Sequence, residues 1–380
     1  MKTLLKTLAI FCLGAFAFIG CEQSGGDDNG GTATKLLLVA DKNTIYDNGE
    51  DCATFTLYYD GMTLTEGYEL YAGETPLAGN TFSSTEIGSV EVWAAYGTVI
   101  SNTLSINVIA TPPAAPAAPE DTNPEKTNFK RRVLLTQITG TGCQYCPLMI
   151  NAVHQAMTGA YGDDAVLAVA HLFNDNDPAY LYDAQTLDNM LGANGAPYLF
   201  MDLNKQYNTA YNKTAIDKNI QARLDEVATR GGIAVNSEYH AEEGYIVLNA
   251  TVKAAQTAEF RIGAWLLEDG ISATQTNPQG YTPVDGVDFN THDDCIRLAD
   301  SKYTSSNYTG YSMGEIEAGK TASREFAFKL KDNGKGGKNY WNHDNLRVIV
   351  FISTKEGNNW YVNNVVKCPK DGSVDFEYEN

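Results

Sequence analysis

The chain reads as a multidomain protein combining α/β and all-β architecture: an N-terminal β-sandwich, a central α/β domain and a C-terminal antiparallel β-sandwich. Three observations carry that expectation. Short alternating runs separated by Gly, Asp and Asn turns fill residues 35–110. From residue 128 to 230, apolar strand-like runs alternate with helical periodicity, as βα units require. After Arg230-Gly231-Gly232 strand-like alternation returns and continues across 231–380. A length of 380 residues fits two or three domains.

The N-terminal segment addresses the chain. Met1 to Lys6 is basic, and Thr7 to Ile19 is uncharged and apolar. That suits a signal h-region and falls short of the roughly 20 residues a membrane-spanning helix needs. The stretch ends Phe18-Ile19-Gly20-Cys21, which resembles a lipobox, with Phe18 standing where Leu is usual. Residues 1–20 are therefore expected to be a lipoprotein signal peptide, and Cys21 to carry the lipid that holds the protein in the outer membrane. Apart from that lipid, no cofactor is expected. Residues 21–34 form a Gly, Asp and Ser tether that cannot bury a core. Asp27-Asp28 resemble the surface-export signal of Bacteroidetes lipoproteins, so the expected location is the outer membrane, on its periplasmic or its surface-exposed side. A formal charge of −20 and a pI near 4.6 argue against nucleic acid or anionic lipid as partners.

Within 35–110, runs such as Cys52 to Tyr59 and Ser89 to Tyr96 alternate between turns at a spacing that suits an immunoglobulin-like module. The pattern is similar to the bacterial Ig-like repeats of surface lipoproteins, which act mostly as spacers or stalks. Residues 111–127 open with Thr111-Pro112-Pro113 and continue in Pro and Ala. That composition favours extended polyproline II, a semi-rigid spacer.

In 128–230, Arg132 to Ile138 is an apolar strand, Thr139 to Gly142 a tight loop, and Cys143 to Met157 a helix. Ala165 to Leu172 reads as a strand buried on both faces. Asp177 to Leu191 is an amphipathic helix, Gly195 to Met201 a third strand and Thr214 to Thr229 another helix. Further on, Ile233 to Ser237, Tyr245 to Ala254, Glu259 to Glu268, Leu346 to Thr354 and Trp360 to Val366 alternate as sandwich strands, with Gly270 to Gly310 a long polar connection.

The chemistry centres on Cys143-Gln144-Tyr145-Cys146. At a helix N-terminus, unpaired amides and the helix dipole stabilise a thiolate on Cys143. Cys146, one turn later on the same face, resolves a mixed disulfide. Pro147 is compatible with the first turn. Ala196-Pro197 supplies the proline that opens a later strand.

With these parts the segment 128–230 resembles a thioredoxin-like domain. In such domains the proline is cis, lies against the disulfide and shapes the substrate groove, which implies catalytic roles for Cys143, Cys146 and Pro197. The chain after the linker resembles the Bacteroidetes lipoprotein family related to outer membrane protein 28. Val133 to Pro147 carries that likeness most specifically, and His292-Asp293-Asp294-Cys295-Ile296-Arg297 looks like a degraded His-Asn-His-x-x-Arg stretch of its C-terminal domain. Gly142 stands where thioredoxins have Trp, Thr136 or Gln137 where they have an acid, and Tyr145 where oxidising members have His. A strong oxidant is therefore not expected.

Of seven cysteines, Cys12 leaves with the signal peptide and Cys21 is lipidated. Cys295 and Cys368 are expected to form a structural disulfide in the C-terminal domain, leaving Cys52 as a buried strand residue. Asp285, Asp288 and His292 to Asp294 offer oxygen ligands for Ca²⁺, but they match no EF-hand spacing, so a solvated acidic loop and no metal is the expectation. Zinc at Cys143 and Cys146 lacks two further ligands nearby, and a helical His154 is read as structural. Two function classes stand. One is envelope thiol–disulfide exchange with exported proteins that carry thiols or disulfides. The other is a non-enzymatic surface binding or adhesion protein whose thioredoxin-like fold is a disulfide-locked scaffold.

Overall fold

The computed structural model describes residues 36–172, 176–181, 184–208, 211–300, 308–334 and 339–379. The expected signal peptide, Cys21 and the expected tether lie outside them. The chain divides into two compact units, Met1–Thr111 and Pro112–Asn380.

The first unit holds β1 (Leu36–Ala40), β2 (Thr44–Tyr46), β3 (Ala53–Tyr59), β4 (Met62–Leu64), β5 (Glu69–Ala72), β6 (Gly88–Tyr96) and β7 (Leu104–Ile109). One sheet runs β1-β3-β4 and a second runs β2-β7-β6-β5. The period of two is plain in β3, where Ala53, Phe55 and Leu57 are buried and the residues between them are half-exposed. Leu36, Leu38, Ile45, Phe55, Val92 and Ile106 share one core. The β3–β4 hairpin turns through Asp60 and Gly61, at φ of 48° and 81°, the primed turn that Asp-Gly favours. Cys52 is a half-buried free thiol just before β3, not within it.

The second unit contains β8 (Val133–Thr139), α1 (Cys146–Met157), β9 (Ala165–His171), α2 (Ala184–Leu191), β10 (Tyr198–Met201), β11 (Asn204–Asn208), α3 (Lys213–Glu226), β12 (Gly231–His240), β13 (Tyr245–Ala254) and β14 (Ala258–Glu268). It continues with β15 (Cys295–Ala299), β16 (Tyr311–Ile316), β17 (Thr321–Lys329), β18 (Leu346–Glu356), β19 (Asn359–Pro369) and β20 (Gly372–Val374). A nine-stranded sheet runs β11-β10-β8-β9-β15-β14-β18-β19, with β16 also beside β14. A smaller sheet runs β17-β13-β12-β20.

The border expected between residues 230 and 231 is therefore not a break between compact bodies. Strand β9 pairs with β15 through Val169 and Cys295, and Val169 N donates to Asp294 O at 2.8 Å. Without β15, β9 would present an open sheet edge. A buried ionic cluster adds a second seam. Asp202 accepts from Arg131 at 2.7 Å and from Arg223 at 2.8 Å, and Arg223 also reaches Glu356 at 2.8 Å. Arg131 further donates to the carbonyl of Asn363 at 2.9 Å.

One face of the large sheet buries Leu134, Ala168, Trp265 and Phe351 beside Leu187 and Leu191 of α2. On the opposite face, α1 and α3 cover β8 and β9 through Met149, Val153, Ile216 and Ile220. The smaller sheet packs Val235, Ile246, Leu248 and Phe328 against Ile262, Leu266, Val348 and Val350. Asn212 caps α3 by accepting from Ala215 N at 2.9 Å.

The expected spacer is also corrected. From Pro112 onward the Pro/Ala segment belongs to the second unit. Asn249 donates to Pro116 O at 3.2 Å and Asn236 to Ala117 O at 2.9 Å. Lys253, fully buried, pairs with Asp121 at 2.7 Å and donates to Asn123 O at 2.8 Å. Polyproline II carbonyls have no internal partners, and outward side chains of β12 and β13 supply them. The two ends of the unit then meet: Lys130 N donates to Glu377 O at 2.9 Å and Glu379 N to Asn128 O at 2.8 Å. Gly232 makes room for this clasp, since a Cβ there would sit 2.2 Å from the Phe129 ring. Among the described residues no helix is long and apolar enough to cross a membrane.

Candidate functional site

The loop after β8 turns sharply, with Cys143 N donating to Gly140 O at 3.0 Å. Cys143 and Cys146 form a disulfide. Their settings differ: Cys143 is 9% exposed and Cys146 is fully buried at the first position of α1. No side chain caps α1 and no acidic residue sits in its first turn, so the positive end of its dipole is not offset there. Gln144 is exposed and Tyr145 is 45% exposed beside the pair.

Pro197 arrives by register. Ile138 pairs with Tyr198 across β8 and β10, so the preceding Pro197 lies opposite Thr139, where the Cys143 loop begins. The Ala196-Pro197 peptide is cis. Pro197 is buried, and Ala196 and Tyr198 are half-exposed on either side of it. The fold thus gathers Cys143, Cys146 and Pro197 at the C-terminal end of β8.

Sequence reasoning missed what holds this loop. Gln275, from the long polar connection, is 5% exposed and its Nε2 donates to Cys143 O at 2.9 Å, Thr141 O at 3.2 Å and Gly140 O at 3.3 Å. Thr276 N donates to Thr141 O at 2.7 Å. From the other side, Asp177 Oδ2 accepts from Thr141 N at 2.8 Å and from His171 Nδ1 at 2.9 Å. Burial opposes the charge on Asp177, but the His171 contact and the amides of Thr141 and Ala179 outweigh it and hold the carboxyl below its ordinary range.

His171 Nε2 lies 3.6 Å from Cys295 Sγ, and its ring meets His292 edge-on at 5.0 Å between centroids. Cysteine, histidine and aspartate thus stand in line, but Cys295 is fully buried and burial pushes its thiol well above its ordinary value. This sulfur does not meet solvent, so the cluster is a packed core and not a nucleophilic centre. Burial and the neighbouring His171 hold His292 down to about 4, and its Nε2 donates to Ala273 O at 3.1 Å.

The expected Cys295–Cys368 disulfide is absent: both are free, buried thiols. Cys295 is on β15 and Cys368 on β19, with β14 and β18 between them. At about 4.8 Å per strand the Cα atoms stand roughly 14 Å apart, against the 7 Å limit for bridging. Of the acidic residues, Asp294 pairs with Arg347, Asp293 accepts from Gly270 N at 2.8 Å, and Asp288 accepts from Asn290 N at 3.0 Å. Among the described residues no three His, Cys, Asp or Glu side chains converge as a metal-binding group. Arg297 is buried and donates to Glu268 at 2.6 Å and to Pro178 O at 2.7 Å.

Residues 184–370 match the family described as outer membrane protein Omp28. The match takes in Pro197, His292, Cys295, Arg297 and Cys368 and leaves Cys143 and Cys146 outside it. No curated protein matches the chain. Among solved structures, the three N-terminal domains of the bacteriophage RB49 highly immunogenic outer capsid protein (Hoc) align over 92% of this chain and 100% of that one, at 6% identity and a TM-score of 0.17. A score that low supports no argument about fold.

Proposed function

We propose that the protein is an outer membrane lipoprotein, anchored through lipid on Cys21, whose second unit is a thioredoxin-like module that exchanges thiols and disulfides on exported proteins. The observation that carries the reading is the asymmetry of one disulfide: Cys143 keeps 9% exposure in the loop two residues before the N-cap of α1, while Cys146 is fully buried. Exchange needs that division, with one sulfur open to attack and one shielded until the mixed disulfide forms. The description of the matched family supports the outer membrane location. The Ig-like module serves in this reading as a spacer.

A substrate thiolate attacks Cys143 Sγ, the Cys143–Cys146 bond breaks, and Cys146 leaves as the thiolate. A second substrate thiolate then attacks the substrate sulfur of the mixed disulfide and releases Cys143. One disulfide has formed on the substrate and one has opened here, and the two substrate protons end on Cys143 and Cys146. The reverse sequence reduces a substrate disulfide. Pro197, with half-exposed Ala196 and Tyr198, lines the path by which a substrate chain approaches.

The Gln275 and Thr276 clamp on the Cys143 loop favours a second reading, a binding protein in which the disulfide only locks a scaffold. Equilibration of the full chain in detergent against dithiothreitol or glutathione separates the two. A reversible couple between about −120 and −270 mV belongs to exchange catalysts, and Cys146→Ala should then trap substrates on Cys143. A value below about −300 mV is that of a structural disulfide and supports the scaffold. Labelling with palmitate, lost in Cys21→Ser, tests the anchor separately.

A further inference from the structure

A cavity of about 430 Å³ is lined by residues of β8, β9 and α1 and of the connection that leads into β15. Its lining includes buried Gln137 and Thr139 of β8, Val153 and Met157 of α1, buried His292, and the exposed Asp288 and Asp293. Gln137 is 3% exposed and Thr139 2% exposed, yet Gln137 Nε2 and Thr139 Oγ1 have no hydrogen-bond partner. Buried polar groups are nearly always paired. Being two residues apart on β8, both project from the same face into this one space.

The rest of the lining defines what completes them. His171 Nδ1 is engaged by Asp177. His292 uses Nε2 on Ala273 O, and because burial keeps the ring neutral its Nδ1 remains an acceptor. Asp288 is held as a carboxylate by Asn290 and Thr291. Asp293 adds a second carboxylate, while Asp294 is matched by Arg347 and lies near Lys367, the cation of the lining. An occupant therefore needs an oxygen for Gln137, donors for His292, and a charge that is not negative.

We infer that this cavity binds a small hydroxyl-bearing cation, such as an amino sugar or amino alcohol, with an oxygen on Gln137 and Thr139 and its ammonium toward Asp288 and Asp293. The site is independent of the thiol chemistry proposed above.

Calorimetric titration of the full chain in detergent with glucosamine, glucose and glucuronate tests it, because the three share a ring and differ in charge. Glucosamine should bind at least about tenfold more tightly than glucose, and glucuronate not at all. Gln137→Met keeps the side-chain length and removes the donor. It should weaken glucosamine by about tenfold while raising the melting temperature of the unliganded protein, since an unpaired buried amide is gone. Combined Asp288→Asn and Asp293→Asn should abolish the preference for glucosamine over glucose. The inference is overturned if glucosamine gives no heat at millimolar concentrations, if glucuronate binds best, or if Gln137→Met binds glucosamine as the parent does. A fall in the melting temperature of Gln137→Met with no glucosamine binding to the parent would mark the cavity as a water site only.

Discussion

Cys143 and Cys295 lie in the same layer of one unit and have opposite surroundings. Cys143 follows β8 in a loop that ends two residues later at the N-cap of α1, so the helix begins at Cys146 and not at Cys143, and Cys143 is 9% exposed. Cys295 opens β15, two strands away in the same sheet, with its sulfur between His171 and the carbonyl of Asp293. A strand position gives a sulfur neighbours on both sides and no access. A loop at a helix end gives access together with a dipole that favours negative charge. Position in the fold, more than the residues next in sequence, separates the two thiols.

The comparison breaks most readily by alkylation. After reduction under native conditions, iodoacetamide should label Cys143 on the order of 1,000-fold faster than Cys295, because Cys295 must await an opening of the sheet. Comparable rates, read by mass spectrometry, would show that the Cys295 site opens locally. Asp177→Asn strikes both sites at once. It removes the carboxylate that accepts from Thr141 N, Ala179 N and His171 Nδ1, so a loss of about 2 kcal/mol in chemical denaturation and faster labelling of Cys143 are expected. Labelling unchanged in that variant would detach the Cys143 loop from the His171 cluster.

Acid acts on the Cys295 side. His292 is held down to about 4 in the folded chain, below its ordinary 6.5. The unfolded chain therefore takes up the proton first as pH falls. Stability is full above about pH 6.5 and is lost toward pH 4, by on the order of 3 kcal/mol for this group. His292→Gln should flatten that portion of the melting-temperature profile, and an unaltered profile would assign the acid loss elsewhere. The smallest effect belongs to Gln275→Ala, expected to cost about 1–2 kcal/mol and to raise the labelling rate of Cys143 modestly by freeing three loop carbonyls.

The strands around Cys143 were legible because their signals are local, while both helices begin later than their periodicity suggests, at Cys146 and Ala184 in place of Cys143 and Asp177. The unbroken apolar run of β9, the periodicity of α1 and the Asp60-Gly61 turn each carry their own pattern. The opposite holds for β15. Its five residues include Arg297, and its place is set by pairing with Val169, far away in sequence. Gln275 looked like any polar residue in a polar connection, and its role exists only because the chain returns to the Cys143 loop. His171 passed as the end of an apolar strand, and its partners Asp177, His292 and Cys295 are spread along the chain. The docking of the Pro/Ala segment was hidden for the same reason, since its hydrogen bonds come from Asn236 and Asn249.

The clasp between residues 128–130 and 377–379 has a consequence for how the chain folds. Arg132 N, at the threshold of β8, donates to Asn364 Oδ1 at 2.9 Å, a contact spanning 232 positions. Closing so long a loop costs entropy before any packing repays it, and topologies dominated by such contacts fold slowly. An N-terminal fragment can pair β8 with β9 and β10, but it has no means of closing the clasp. The seam between residues 128–130 and 377–379 should therefore be the last part of the second unit to gain protection during refolding, after the β8–β9–β10 pairing is in place.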